Sequence, residues 1–424
     1  MAKRSSRQTS KRSGRRPTGS RAQARSPQPP SVDGLAAVVV RGGREVLGVE
    51  DPLEAEQWAS AMLGTFYKLP VTLEARDLVD RDLGPAIARL AEARGDAAGR
   101  AVLEAIAAVG DPRQATPARQ AADRMAARGI AAPAWAAEIG SVELEGAWVI
   151  DDVFGDHEGY YLAFRYPGRP VHLLTGLVDK ALGEIVKDAS VGYAKGDPES
   201  ILAEVSGHEA GTSVSVADPS AVARRIIGAV ADGDLYLDND WSDDFKHTRA
   251  LLLTRMRRLP LGPEIERPEF DHDTRSAIVE AFLATPGLPG GDTAPYIASV
   301  CLDYLCDYLG DDPYRWSPIV VEQFLLDFVP RKVSLSLGEV RALPQVLRAW
   351  VRFALARRGL EEPWIMETEV AVDALEKAFL AEATDPDNFG PGKSIDAAMR
   401  ADGVDFDDPA AIDAWIRAYN ARLQ

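Results

Sequence analysis

The stretch SVELEGAWVIDDVFGDHEGYYLAFRYPGRPVHLLTGLVDKALGEIVKDASVGY, residues 141–193, decides the fold class of this chain. Val142, Leu144, Trp148 and Ile150 keep two-residue spacing, the period at which strand side chains return to the same face of a sheet. The turn residues Gly155-Asp156-His157-Glu158-Gly159 follow, with His157 expected in solvent at the turn. Tyr160 to Arg165, Val171 to Val178 and Ile185 to Tyr193 then read as further strands, parted by Tyr166-Pro167-Gly168-Arg169-Pro170 and by Lys180-Ala181-Leu182-Gly183-Glu184. Short β-rich runs broken by Gly and Pro predict an antiparallel meander. Adjacent apolar pairs such as Leu173-Leu174 predict helices over much of both faces.

Around this sheet the pattern is helical. Asp-Pro dipeptides begin at Asp51, Asp111, Asp197, Asp218, Asp312, Asp385 and Asp408. Asp accepts hydrogen bonds from the free amides of a first helical turn, and Pro at the first helical position loses nothing by lacking an amide hydrogen. Helices are expected near 52–66, 83–94, 97–109, 115–128 and 132–138, with Gly110, Gly129 and Gly140 at stops. Beyond residue 197 they are expected after Asp218 and near 242–258, 273–284, 293–309, 317–329, 337–357, 365–382 and 409–422.

The fold class is therefore α+β and mostly helical: a multi-helix body, one small antiparallel β-meander over about residues 142–193, and a disordered N-terminal tail. The expected division is a basic tail over 1–33, a helical N-terminal domain over 34–140 and a sheet module over 141–215. A helical segment packing on the sheet over 216–330 and a C-terminal helical region over 331–424 complete it.

Charge is unevenly spread. The 424 residues hold 48 Lys and Arg against 65 Asp and Glu, a formal net of -17. Residues 1–32 carry nine cations (Lys3, Arg4, Arg7, Lys11, Arg12, Arg15, Arg16, Arg21 and Arg25) and no acid, leaving 39 basic and 65 acidic residues elsewhere, a net of -26. The tail has too few large apolar side chains to offset its ordering entropy. It is suited to nucleic acid or another polyanion, whereas the acidic body repels phosphates. Two cysteines, Cys301 and Cys306, exclude a disulfide-framed scaffold and read as buried apolar side chains. No apolar run nears the roughly 18 residues of a membrane span, and the cytoplasm is the expected location.

The chemical motifs fall short of their templates. Asp238, Asp240, Asp243 and Asp244 offer hard oxygen ligands for Mg²⁺ or Ca²⁺. A calcium loop starting at Asp238 would need Gly at Asp243 and Glu at Arg249. Ser242 as a cap, Asp243 and Asp244 in a first turn, and Arg255, Arg257 and Arg258 in the last also complement a helix dipole without metal. Gly390-Pro391-Gly392-Lys393-Ser394 approaches the end of a phosphate-binding loop, but its first Gly would fall at Asp387, after a helix rather than a strand. His208-Glu209 lacks the second His of a zinc helix, where Thr212 stands, and the five histidines (His157, His172, His208, His247, His272) have no ligand-pair spacing. Trp148, Tyr160, Tyr161, Phe164 and Tyr166 are expected in the core. Any small-molecule pocket is sought first where Asp179, Lys180, Lys187 and Asp188 gather at a hairpin end.

The Ala, Arg, Asp and Gly usage is that of a high-GC bacterial chain. The expected function is a non-enzymatic scaffold or interaction protein with a polyanion-attracted tail, a possible protein partner, no membrane and no cofactor. The alternative is a metal-dependent hydrolase or phosphotransferase using the Asp238–Asp244 carboxylates.

Overall fold

A computed structural model describes residues 31–65, 72–181, 183–208, 210–236, 241–289 and 291–422. The cationic residues from Lys3 to Arg25 lie outside the described residues, as do Asp238 and Asp240. The first helix, α1 (Val32–Arg41), already begins inside the expected tail, because the Ser31 hydroxyl accepts the Gly34 amide and Ala36, Val39 and Val40 are buried.

Helices α2 (Gly43–Leu47), α3 (Pro52–Gly64), α4 (Leu73–Arg94), α5 (Ala97–Val109) and α6 (Pro112–Ala127) follow. Asp51 and Asp111 cap α3 and α6 as their Asp-Pro dipeptides predict, and Asp111 with Gln114 completes a capping box. Helix α4 begins ten residues before the expected 83, running through Gly84 and Pro85. Tertiary packing overrides the local breakers: a Cβ at Gly84 would lie 2.5 Å from the Gln114 Cα, so glycine lets α4 close onto α6.

The sheet comprises β1 (Glu143–Asp152), β2 (His157–Arg165), β3 (Val171–Asp179) and β4 (Ile185–Tyr193), an antiparallel meander. After helix α7 (Pro198–His208) a fifth strand, β5 (Thr212–Val216), pairs with β1, giving the order β4-β3-β2-β1-β5. One face, with Leu162, Leu174, Val178 and Ala189, is buried under α8 (Pro219–Asp234) and α9 (Asp243–Arg258). The other face, with Ile150, Tyr161, Leu173, Thr175 and Leu177, is half-buried. Coverage of the two faces is therefore unequal: α7 packs on the β5 edge, and its Glu204 and Val205 only border a cleft over the half-buried face with Ile150, Tyr161 and Leu177.

The rest of the chain builds a second helical lobe. It contains α10 (His272–Leu283), α11 (Ala294–Leu302), α12 (Pro318–Gln323), α13 (Val329–Lys332), α14 (Leu337–Arg358) and α15 (Glu362–Glu382), then α16 (Pro391–Ala401) and α17 (Pro409–Arg422). A π-helical segment, Asp303–Leu309, continues α11. Cys301 is buried and Cys306 half-buried, both as free thiols. Buried apolar side chains form one core from Ala36 to Met256, sheet included, and a second from Ile278 to Ala383. Within residues 216–330, α8 and α9 pack on the sheet, while side chains of α10 and its successors belong to the second core. No described helix is long and apolar enough to cross a membrane.

Helix α9 has the expected charge order, with Asp243 and Asp244 in its first turn behind the Ser242 cap and Arg255, Arg257 and Arg258 in its last. Arg255 is withdrawn into the first core, where it meets the equally buried Glu56 of α3 and lies 3.4 Å from the Tyr166 hydroxyl. A charge pair out of water holds these elements in register, since separating it would leave an unpaired buried ion.

Candidate functional site

Between α9 and α10 the chain crosses from one core to the other as an irregular strap, residues 259–271. Pro260, Pro263 and Pro268 fix φ and withhold amide donors, so the strap cannot coil into either neighbouring helix. It is stitched to α8: the Gly262 amide donates to the Ser220 carbonyl at 3.0 Å, and Arg224 Nε donates to the Gly262 carbonyl at 3.0 Å. A Cβ at Gly262 would stand 2.9 Å from that Ser220 oxygen, which explains glycine here.

Beneath the strap lies a cleft of about 480 Å³, bounded by the β1–β2 end of the sheet, the first turns of α8 and Gly310-Asp311 of the second lobe. Its position between two cores and its size suit a small organic ligand. Glu158 of β2 is the centre of its floor. One carboxylate oxygen accepts Arg225 Nε at 2.7 Å and the Tyr160 hydroxyl at 2.9 Å, and the other lies 3.6 Å from Lys180 Nζ. Arg225 also reaches Glu184 at 3.2 Å. Burial opposes ionisation of Glu158, but Arg225 and Lys180 prevail and hold its carboxyl below the usual range. Burial, together with Glu158, drives the Tyr160 phenol far above its ordinary range. Asp151, opposite Glu158 on β1, is raised by burial and then by the Glu158 charge.

The turn between β1 and β2 reaches into the second lobe. Asp156 pairs with Arg315 at 2.7 Å, both side chains almost wholly buried, and Arg315 also holds Asp311 at 2.5 Å. Arg358 donates to the Phe154 carbonyl at 2.7 Å, and Phe154 meets Trp364 edge-on at 5.9 Å. The clasp thus fixes the cleft's two walls relative to each other.

Of the four hairpin-end residues expected near a pocket, Lys180 lines the cleft. Asp179 and Lys187 join at 3.3 Å on the other sheet face, and Asp188 accepts the Ser242 hydroxyl. His157 is not a solvated turn residue: it opens β2 between Asp152 and Asp179, at 3.6 and 3.5 Å. Those carboxylates, Asp152 foremost, lift its imidazole to about 10. Phe164 and Tyr166 are buried around His172, which is pushed down to about 4 by burial and then by Arg255. Neither ring nitrogen of His172 meets a hydrogen-bond partner among the described residues.

Asp243 and Asp244 occupy the first turn of α9 behind the Ser242 cap, with Asp243 3.5 Å from Lys246. Among the described residues no group of three or more His, Cys, Asp or Glu side chains converges to hold a metal. Lys393 turns away from any phosphate position: its ammonium donates to the Pro330 carbonyl at 2.8 Å and the Val329 carbonyl at 3.3 Å, at the end of the second core. The side chain of His208 lies outside the described residues.

Sequence reasoning missed Glu158, Glu184 and Arg225. One signal was available for Arg225, which falls on the same α8 face as Val222, Ile226 and Ala229, so a cation on that stripe required a buried anion. No protein-family model, curated protein or solved structure matches this chain.

Proposed function

We propose that this protein is a non-enzymatic scaffold or interaction protein of the cytoplasm, an acidic two-core body bearing a polyanion-attracted arm. The observation that carries the reading is the partition of charge: nine cations and no acid in residues 1–32, against a net of -26 in the remainder. The paired ionisable groups of the cleft floor support it, because an acid held by Arg225 and Lys180 is suited to rigid binding rather than to proton transfer. The arm precedes the Ser31 cap of α1, whose apolar face is in the first core, so a polyanion held by the arm is tethered to the body.

The test is binding of a fluorescent single-stranded oligonucleotide across a salt series, by the full chain and by a chain lacking residues 1–30, which keeps the Ser31 cap. The full chain should lose affinity steeply with salt, with a logarithmic slope of at most about 0.7 per cation engaged. Deletion should abolish both affinity and slope. Equal binding by the two chains would overturn the reading. Stoichiometric divalent metal, lost when Asp238, Asp240, Asp243 and Asp244 are changed to Asn, would replace it with the hydrolase or phosphotransferase.

A further inference from the structure

We propose that the cleft under the strap is a binding site for a small organic cation, an amine or guanidinium compound with an apolar body. This stands independently of the arm. Val149, Ala217 and Ile265 supply apolar wall, and the Tyr160 ring lines the same space. An aromatic face attracts a cation held near it, while the apolar surface rewards burial of the rest of the ligand.

The sign of the ligand follows from the charges. The walls bring six carboxylates against four cationic side chains. On the floor the cations are consumed: Arg225 is shared by Glu158 and Glu184, and Lys180 faces Glu158. At the mouth the imbalance is open. Glu264 and Glu266 project from the strap, both exposed, and neither enters an ion pair or side-chain hydrogen bond among the described residues. An anion would have to displace existing ion pairs to reach Arg225 or Lys180, Arg267 is shared by Glu184 and Asp232, and Arg224 donates its Nε to the Gly262 carbonyl, whereas a cation meets two carboxylates already facing the opening. Because Pro263 and Pro268 bracket Glu264 and Glu266, the carboxylates are presented at low entropic cost.

Calorimetric titration of the full chain at about 0.15 M ionic strength with phenethylammonium, 2-phenylethanol and 3-phenylpropionate tests the assignment. These probes share a ring and a short tether and differ in head-group charge. Phenethylammonium should bind saturably, one per chain, at least ten-fold more tightly than either of the others. Glu264→Gln with Glu266→Gln should weaken it ten-fold or more. Ala221→Trp, on the exposed side of α8 at the cleft wall, should block all three probes while leaving circular dichroism and the melting midpoint unchanged. Equal affinity for the three probes, absence of saturable binding, or cation binding that persists in both variants would overturn the proposal; the last would place the cation elsewhere on the acidic surface.

Discussion

His157 opens β2 with a carboxylate on either side, and Lys187 closes the cluster by pairing with Asp179. The folded imidazole is raised to about 10, against an ordinary 6.5. A cation bound more tightly in the folded state stabilises that state fully below pH 6.5, and the contribution fades as pH rises toward 10. The stability of the wild type relative to a His157→Asn variant should therefore be greatest at pH 6 and shrink steadily to pH 10, as read from urea midpoints. A difference that grows with pH would mean that the ring is neutral in the fold. Sequence placed this residue in a turn and stopped there. The turn residues are local, but Asp179 arrives from β3 through cross-strand pairing, opposite His157 in the register. Glu158 and Arg225 were hidden for the same reason, being 67 positions apart in the chain.

Helices α3 and α9 cross where α3 ends, and the crossing depends on one missing methyl group. A Cβ on Gly64 would lie 1.9 Å from the Lys246 carbonyl oxygen, a backbone atom that can retreat only if α9 moves with it. Gly64→Ala should thus destabilise the protein by about 2–3 kcal/mol through overpacking. Gly228 provides the control. It lies exposed in α8 with nothing near its absent Cβ, so Gly228→Ala should stabilise by about 0.5–1 kcal/mol through helix propensity. Urea denaturation of both variants checks the opposite signs, and matching signs would refute the packing argument. At this scale the sequence was most legible where local chemistry alone decides. Asp51, Asp111 and Asp218 each cap a helix whose first residue is the Pro that follows, and α5 spans its expected residues. The four meander strands follow from alternation and turn residues. It was least legible where partners are distant: Thr212–Val216 is a strand because β1 offers an edge to pair with, and α4 passes through Gly84-Pro85 because α6 needs the close approach.

For the whole molecule, two hydrophobic cores behave as one cooperative unit only if contacts between them couple their unfolding. The cores are separate sets of side chains, so joint unfolding must come from the contacts between them. The Asp156–Arg315 pair is placed to provide that coupling, since Asp156 belongs to the sheet turn and Arg315 to the second lobe, and water reaches neither. Burial already strains the Asp156 carboxyl, raising it from its ordinary range, with the Ser317 hydroxyl and Arg315 opposing the shift. Replacing Arg315 with Leu keeps much of the bulk but leaves Asp156 and Asp311 without their guanidinium, at a cost of about 3–5 kcal/mol for breaking a buried pair. Because that loss falls on the contact between the lobes more than on either core, the calorimetric melt should separate from one transition in the wild type into two in Arg315→Leu. Arg315→Leu combined with Asp156→Leu should bring the transitions back toward each other, because the unpaired charge in the turn is gone while the apolar contact of Phe154 with Trp364 persists. A single transition that merely shifts downward in both variants would locate the coupling elsewhere, leaving the strap as the connection that holds the cleft's walls together.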